Sequence, residues 1–424
     1  MKLHTIGRHA LVEGDCVEIL RAMPADSFDA CVSDPPYGLG FMGKAWDCDV
    51  PGPAFAAELL RVLKPGAHAC LFGGTRTFHR LAVALEDAGF EIRDCLSWLY
   101  GTGFPKSLDV SKAIQSRGGP EAIRRMQMGE GYTPSGRGRI NYDHGGASKM
   151  NGVVKRRPAT PEASQWNGWG TALKPAWEPV LLVRKPLIGT VAANVLQHGT
   201  GGLNIDATRI GANGGTAKGS KPTGVGNGIY GAGMHGGCDI VDLDKGRWPA
   251  NVVLDEVAAE LLDAQSGESR STASPRNNAA RVNIAKGAEK ANVTHGHADS
   301  GGASRFFYVA KPSRAERDRG CEHLPARSGG EATDRDDGAP GTQSPRAGAG
   351  RTGGARNIHP TVKPAALIRW LVQLVTPPGG VVLDPFAGSG TIFVACEGLD
   401  VVVNACERDP EYVQIAIARG LAAP

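Results

Sequence analysis

Apolar and polar positions alternate with two different periods along the first hundred residues, and the two periods predict a strand–helix rhythm. His9 to Asp15 reads as a strand and Val17 to Met23 as a short helix. Phe28 to Ser33 is an apolar run of strand length. Pro53 to Leu63 puts Phe55, Leu59, Leu60 and Leu63 at helical spacing and stops at the chain-breaking Lys64-Pro65-Gly66. His68 to Phe72 reads as a strand, Thr77 to Ala88 as a helix, and Glu91 to Tyr100 as a strand. Strands separated by helices of about ten to fifteen residues predict an α/β fold with a doubly wound, mostly parallel sheet.

The rhythm breaks after residue 100. Residues 101–176 are rich in Gly, Ser, Arg and Asn without a sustained period, and read as an insertion. An apolar strand returns at Trp177 to Val183, within a segment 177–186. Residues 187–350 are again irregular, with islands at Gly202 to Asp206, Arg247 to Leu254 and Arg305 to Ala310. Ser328 to Arg356 is a Gly/Arg/Asp/Pro linker of low complexity. Residues 357–424 resume the pattern. They predict a helix over Pro364 to Val375, a strand into Asp384, a helix over Thr391 to Glu397, a strand over Val401 to Cys406 and a last helix from Pro410.

The chain has 424 residues, enough for one large α/β domain and a smaller module. No apolar run reaches membrane-spanning length and Met1-Lys2-Leu3-His4 lacks a signal-peptide core, so a soluble, cytoplasmic protein without a membrane partner is expected. Nine cysteines occur without a C-x-x-C pair, which predicts buried free thiols and no metal site. The net charge of +4 is unevenly spread. Gly101 to Thr190 holds 14 Lys and Arg against 6 Asp and Glu, a local +8 that leaves about −4 elsewhere. Such a basic segment suits a polyanion, the alternative being a solvated loop.

Two motifs carry the chemistry. Asp34-Pro35-Pro36-Tyr37 follows the strand at Phe28, and Asp384-Pro385-Phe386-Ala387-Gly388-Ser389-Gly390-Thr391 follows the strand at Val381. Buried parallel strands deliver such loops to the edge where open α/β sheets hold ligands. The first loop offers a carboxylate, carbonyls without competing N–H groups and an aromatic face, parts that suit the exocyclic amine of a flipped base. Read alone it is also an ordinary β-turn. In the second, glycines allow close backbone approach to a nucleotide-like cofactor, and Thr391 stands where a Walker loop has Lys. The following strand leads to Glu407, an acceptor for ribose hydroxyls or a helix cap ahead of Pro410.

Together the two motifs resemble the DNA amino-methyltransferases of the permuted, beta-class arrangement. The resemblance covers roughly Met1 to Tyr100, Trp177 to Lys185 and Asn357 to Pro424. It implies a Rossmann-like, circularly permuted fold with S-adenosyl-L-methionine as cofactor. Asp384, Phe386, Gly388, Ser389, Gly390, Thr391 and Glu407 would then bind that cofactor. His359, Thr361 and Lys363 of Asn357-x-His359-Pro360-Thr361-x-Lys363-Pro364 would hold its methionine end, and Asp15 with the Cys16 backbone its adenine. Asp34, Pro35, Pro36 and Tyr37 would be catalytic. Asp at the first motif position is usual for adenine-N6 enzymes, with cytosine-N4 transfer and a DNA-binding protein without turnover as rival readings. Double-stranded DNA is the implied partner, and a homodimer stays open. Target recognition falls within 187–350, where Asn204, Arg209, Arg247, Asn251 and Arg305 are base- or phosphate-reading types. Arg247-Trp248-Pro249-Ala250-Asn251 is equally readable as a packing corner with Trp248 in the core. Lys155, Arg156 and Arg157 are candidate phosphate contacts in the basic insertion.

Overall fold

A computed structural model of the protein describes residues 1–40, 47–103, 107–117, 132–133, 155–156, 160–211, 217–218, 242–243, 246–271, 274–276, 293–295, 299–310, 316–328, 331 and 356–422. It divides into two compact units, Met1–Gly101 with Trp177–Pro424, and Thr102–Ala176.

The larger unit is built on one ten-stranded sheet. In chain order its strands are β1 (Lys2–Ile6), β2 (His9–Glu13), β3 (Phe28–Ser33), β4 (Leu63–Phe72), β5 (Glu91–Leu99), β6 (Trp177–Arg184), β7 (Val252–Asp255), β8 (Tyr308–Ala310), β9 (Val381–Asp384) and β10 (Val402–Glu407). Their spatial order is β1-β2-β10-β9-β3-β4-β6-β5-β7-β8. Only β1–β2, β4–β6 and β6–β5 pair antiparallel; the other six neighbours are parallel. The parallel pairing of β2 with β10 joins the start of the sequence to its last strand, with Glu13 opposite Glu407.

Both faces of the sheet are covered, which is why its strands read as continuous apolar runs rather than alternating ones. Ala30, Val32, Cys70, Phe72, Val180 and Leu182 point to one face and meet α8 (Ala365–Val375), α9 (Thr391–Ala395) and α10 (Pro410–Leu421). Their neighbours Cys31, Ala69, Leu71, Leu181 and Val183 point to the other, against α1 (Cys16–Ala22), α2 (Pro53–Val62) and α3 (Phe78–Ala88). β9 leads through α9 to β10 on one side, and β3 leads through α2 to β4 on the other. The crevice between the C-terminal ends of β9 and β3 is therefore the topological switch point, where open α/β sheets take ligands.

Two islands of the irregular middle are strands of this same sheet, β7 beside β5 and β8 beside β7. At four and three residues they are too short to show a period in the sequence. Helices α6 (Val191–His198) and α7 (Glu256–Ser266) also fall where no period was evident. No helix among the described residues is long and apolar enough to cross a membrane. Cys31, Cys70, Cys321, Cys396 and Cys406 are buried free thiols, and Cys48 is exposed.

Within the smaller unit, α4 (Val110–Arg117) and α5 (Pro161–Gln165) are described, with Thr160 capping α5. Trp166 and Trp169 meet edge to face at 5.1 Å and are both exposed.

Leu181 lies in the middle of the reversed strand β6 and is 2% exposed. Leu181→Ala should cost about 2–5 kcal/mol, read as a lower denaturation midpoint at unchanged m-value.

Candidate active site

Both motif loops leave the sheet at the switch point, and short-range contacts fix each in place. After β3 the chain turns through Asp34 to Tyr37. The buried Asp47 carboxylate accepts the Tyr37, Gly38 and Leu39 backbone N–H groups at 2.7, 3.0 and 3.2 Å. Thr77 Oγ1 donates to the Tyr37 carbonyl at 2.6 Å. Pro35 is buried and Pro36 half-buried.

After β9, Asp384 Oδ1 accepts from Ser33 Oγ at 2.5 Å and from the Phe386 N–H at 3.2 Å. Burial pushes the Asp384 carboxyl up to about 7, against those hydrogen bonds. Gly388 and Gly390 have φ of +52° and +72°. A Cβ on Gly388 would sit 2.7 Å from His359 Nε2, and one on Gly390 2.7 Å from the Ala416 Cα. Only glycine fits either place. Beneath the loop, the fully buried Arg419 of α10 donates to the Ser389 carbonyl, Ser389 Oγ and Thr391 Oγ1 at 2.8, 2.9 and 3.0 Å.

Glu407 ends β10 and accepts the Gly388 and Asp409 N–H groups at 2.8 and 2.7 Å, one on each oxygen. Each oxygen keeps a lone pair for a further donor. Burial pushes this carboxyl up to about 7. One strand over, Asp15 caps α1 by accepting from the Val17 and Glu18 N–H groups, and the half-buried Cys16 follows it. Burial holds the Cys16 thiol up at about 12, so it stays protonated. His359 meets Tyr412 edge to face at 4.6 Å, and burial with the charges of Lys363, Arg317 and Arg419 lowers its imidazole to about 3. It is a neutral ring. Thr361 is half-buried, and Phe386 packs 5.2 Å from Phe55.

Lys363 is paired within the chain itself. Its buried ammonium lies 2.5 Å from Asp34 Oδ2 and 3.4 Å from Glu178 Oε2, over the rings of Tyr37 and Phe72. Tyr37 Oη lies 2.9 Å from Asp34 Oδ1 and 3.0 Å from Glu178 Oε2, so its single proton serves one carboxylate at a time. Burial raises the Asp34 carboxyl and the Glu178 charge adds to that, with Lys363 and the Tyr37 hydroxyl opposing. Burial alone would lower Lys363; the two carboxylates outweigh it and keep the ammonium charged. Glu178, Asp47, Thr77 and Arg419 were not singled out in the sequence.

The expected base readers are held elsewhere. β7 runs parallel to β3, so residues just before Val252 lie at the sheet edge opposite the one from which Asp34 emerges. There Arg247 Nη2 pairs with the buried Asp299 at 2.5 Å. Burial alone would push the Asp299 carboxyl up; the Arg247 hydrogen bond and charge, with Ser271 and Arg305, hold it below the usual range. Arg209 binds Asp206 and the Gly246 carbonyl and covers Trp248, which is 65% exposed and not in the core. Arg305 bonds to Gly301, Gly302, Ser269 and Ser271, Asn251 to Asp94, and Asn204 to the Ala207 N–H. Arg157 and the side chains of Lys155 and Arg156 lie outside the described residues. Among the described residues no group of three or more His, Cys, Asp or Glu side chains gathers as a metal site.

Residues 306–418 match a family described as DNA methylase. The type II methyltransferase M.HindIII of Haemophilus influenzae is 28% identical over 154 residues, 36% of this chain and 37% of that protein. The type II methyltransferase M.Cfr9I of Citrobacter freundii is 46% identical over 61 residues, 14% of this chain and 20% of that protein. The chain thus spans well under half the length of either relative. Among solved structures, the cytosine-N4-specific PvuII DNA methyltransferase aligns over 98% of this chain and 87% of its own, at 12% identity and TM-score 0.42. M1.HpyAVI aligns over 96% of both chains, at 13% identity and TM-score 0.38.

Arg247→Ala should strip the buried Asp299 of its nearest cation, leaving Arg305 at 3.6 Å, and lower stability by up to about 3–5 kcal/mol with no change in DNA site preference. Denaturation and binding to specific and random duplexes would check both halves.

Asp384 and Glu407 are raised in the folded protein, so their contribution is whole below about pH 4 and is lost as pH rises through about 7. Asp384→Asn removes one of the two titrations. Its stability should fall less steeply over that window, by up to about 1.4 kcal/mol per pH unit, in denaturation series at several pH values.

Proposed function

We propose that this chain, a member of the DNA amino-methyltransferase family, transfers a methyl group from S-adenosylmethionine to adenine N6. The adenine would be turned out of double-stranded DNA at a specific site. The observation that supports this most is the meeting of the Asp34–Tyr37 loop and the Gly388–Gly390 loop at the adjacent ends of β3 and β9.

The cofactor's residues fit a nucleoside joined to an amino acid. Glu407 has lone pairs left for two ribose hydroxyls. Asp15 lies one strand beyond Glu407, where the adenine of such a group would reach. His359 packs against Gly388. When bound, S-adenosylmethionine supplies an electrophilic methyl group.

The chain's own work is to prepare the amine. An exocyclic amino nitrogen has its lone pair delocalised into the ring. Asp34 and the Pro35 carbonyl accept its two N–H groups and draw it toward tetrahedral geometry, so the lone pair faces the methyl group. Tyr37 stacks on the base, a contact of about 1–3 kcal/mol. Positioning of this kind is worth roughly 7–11 kcal/mol in well-oriented systems, and no covalent intermediate is needed. Asp rather than Ser at position 34 supports adenine over cytosine.

Incubation with S-adenosylmethionine and DNA, followed by digestion and mass spectrometry, should yield N6-methyladenine. N4-methylcytosine alone would move the enzyme to the cytosine class. Asp34→Ala should keep cofactor binding and lose transfer. Glu407→Ala should weaken cofactor binding about tenfold or more in calorimetry, the worth of hydrogen bonds to a charged group.

A further inference from the structure

We propose that Glu178 is a positioning residue of the reacting site, sharing the Lys363 ammonium so that Asp34 meets the target amine as a basic acceptor. This rests on the function proposed above and names a residue beyond it.

The geometry is a closed ring of four groups. Asp34 and Glu178 are each bridged twice, once by Lys363 Nζ at 2.5 and 3.4 Å and once by Tyr37 Oη at 2.9 and 3.0 Å. A lone ammonium at 2.5 Å would claim much of Asp34's negative charge and weaken it as an acceptor. A second carboxylate on the same ammonium draws some of that charge away and adds its own field to Asp34. Glu178 is well placed for this because β6 runs against its neighbours. Its first residues therefore lie beside the last residues of β4 and β5, on the reacting edge. Tyr100, just after β5, hydrogen-bonds to Glu178. The groups that bear on Asp34 come from four places: Tyr37 in its own loop, Glu178 on β6, Lys363 ahead of α8 and Asp384 at the end of β9.

The sign of the effect follows. Protonation turns one Asp34 oxygen into a donor and weakens the other as an acceptor, so methyl transfer falls as pH drops through its titration. Glu178 raises that titration and Lys363 lowers it. Glu178→Gln removes a negative neighbour, and the acid limb of the rate should move to lower pH by about one unit, a tenfold change in proton affinity. Lys363→Met should move it the opposite way. Glu178→Asp keeps the charge but withdraws it, and should give a smaller step in the same direction as Gln. A residue that merely packs would move none of these limbs.

The experiment pairs two readouts on the full chain. One is the Asp34 carboxyl titration by carbon-13 NMR in wild type and the three variants. The other is the single-turnover methylation rate against pH. Opposite shifts for Glu178→Gln and Lys363→Met, with Glu178→Asp between wild type and Gln, are expected in both. An Asp34 titration unmoved by Glu178→Gln, or by Glu178→Asp should the Gln variant not fold, would overturn the inference. Wild type that methylates no DNA would defeat the proposed function instead, and the NMR titration would still decide the coupling.

Discussion

The seam between β3 and β9 is the constraint on which the rest of the molecule depends. It joins strands more than three hundred and fifty positions apart, and polar contacts lock it at both ends. At its start the buried Asp29 carboxylate accepts the Val381 N–H at 2.8 Å while pairing with Lys64 at 2.5 Å. At its finish Ser33 Oγ donates to Asp384. Between them Ala30 faces Val382 and Cys31 faces Leu383. Because side chains alternate between faces, a slip of one residue would exchange the two cores. It would also carry Asp34 away from the glycine loop. The register of this one pair therefore fixes both the packing and the alignment of the two reacting loops.

Much of this was legible in the sequence because buried parallel strands leave a strong trace. The apolar runs ending at Ser33 and Val381–Leu383, each followed by Asp-Pro, name the strands and the edge at once. The glycines declare themselves because no side chain fits beside His359 or Ala416. What escaped was set by partners distant in the chain. Glu178 is one acid at the head of an apolar strand, and only the reversal of β6 brings it to the reacting edge. Arg419 reads as an ordinary basic residue closing a helix, yet it is buried under the glycine loop. Arg247 has the right chemistry to read a base, and its pairing with Asp299, fifty-two positions away, leaves no trace in the sequence. Strands as short as β7 and β8 take their conformation from the sheet they join.

The reacting cluster holds two carboxylates against one ammonium in surroundings poor in water. Such a cluster is costly to bury, and replacing it with apolar side chains is often neutral or stabilising. Its presence is accounted for better by the function proposed above than by stability. The supports around it have the opposite character. Asp47, Thr77 and Arg419 bond mostly to backbone groups and hold loops still. Rigid loops around a strained charge arrangement are what a positioning reaction requires.

The pairing of β2 with β10 has a consequence for how the protein is made. The His9 ring accepts a hydrogen bond from the Val403 N–H, 394 positions further along. During synthesis β2 has β1 on one side and an unpaired edge on the other until the residues between it and β10 have followed. An apolar strand with an open edge is a template for pairing with the wrong chain. Contacts of such sequence separation also form slowly. Until β10 follows, the unpaired edge of β2 is a liability to misassembly in the nascent chain.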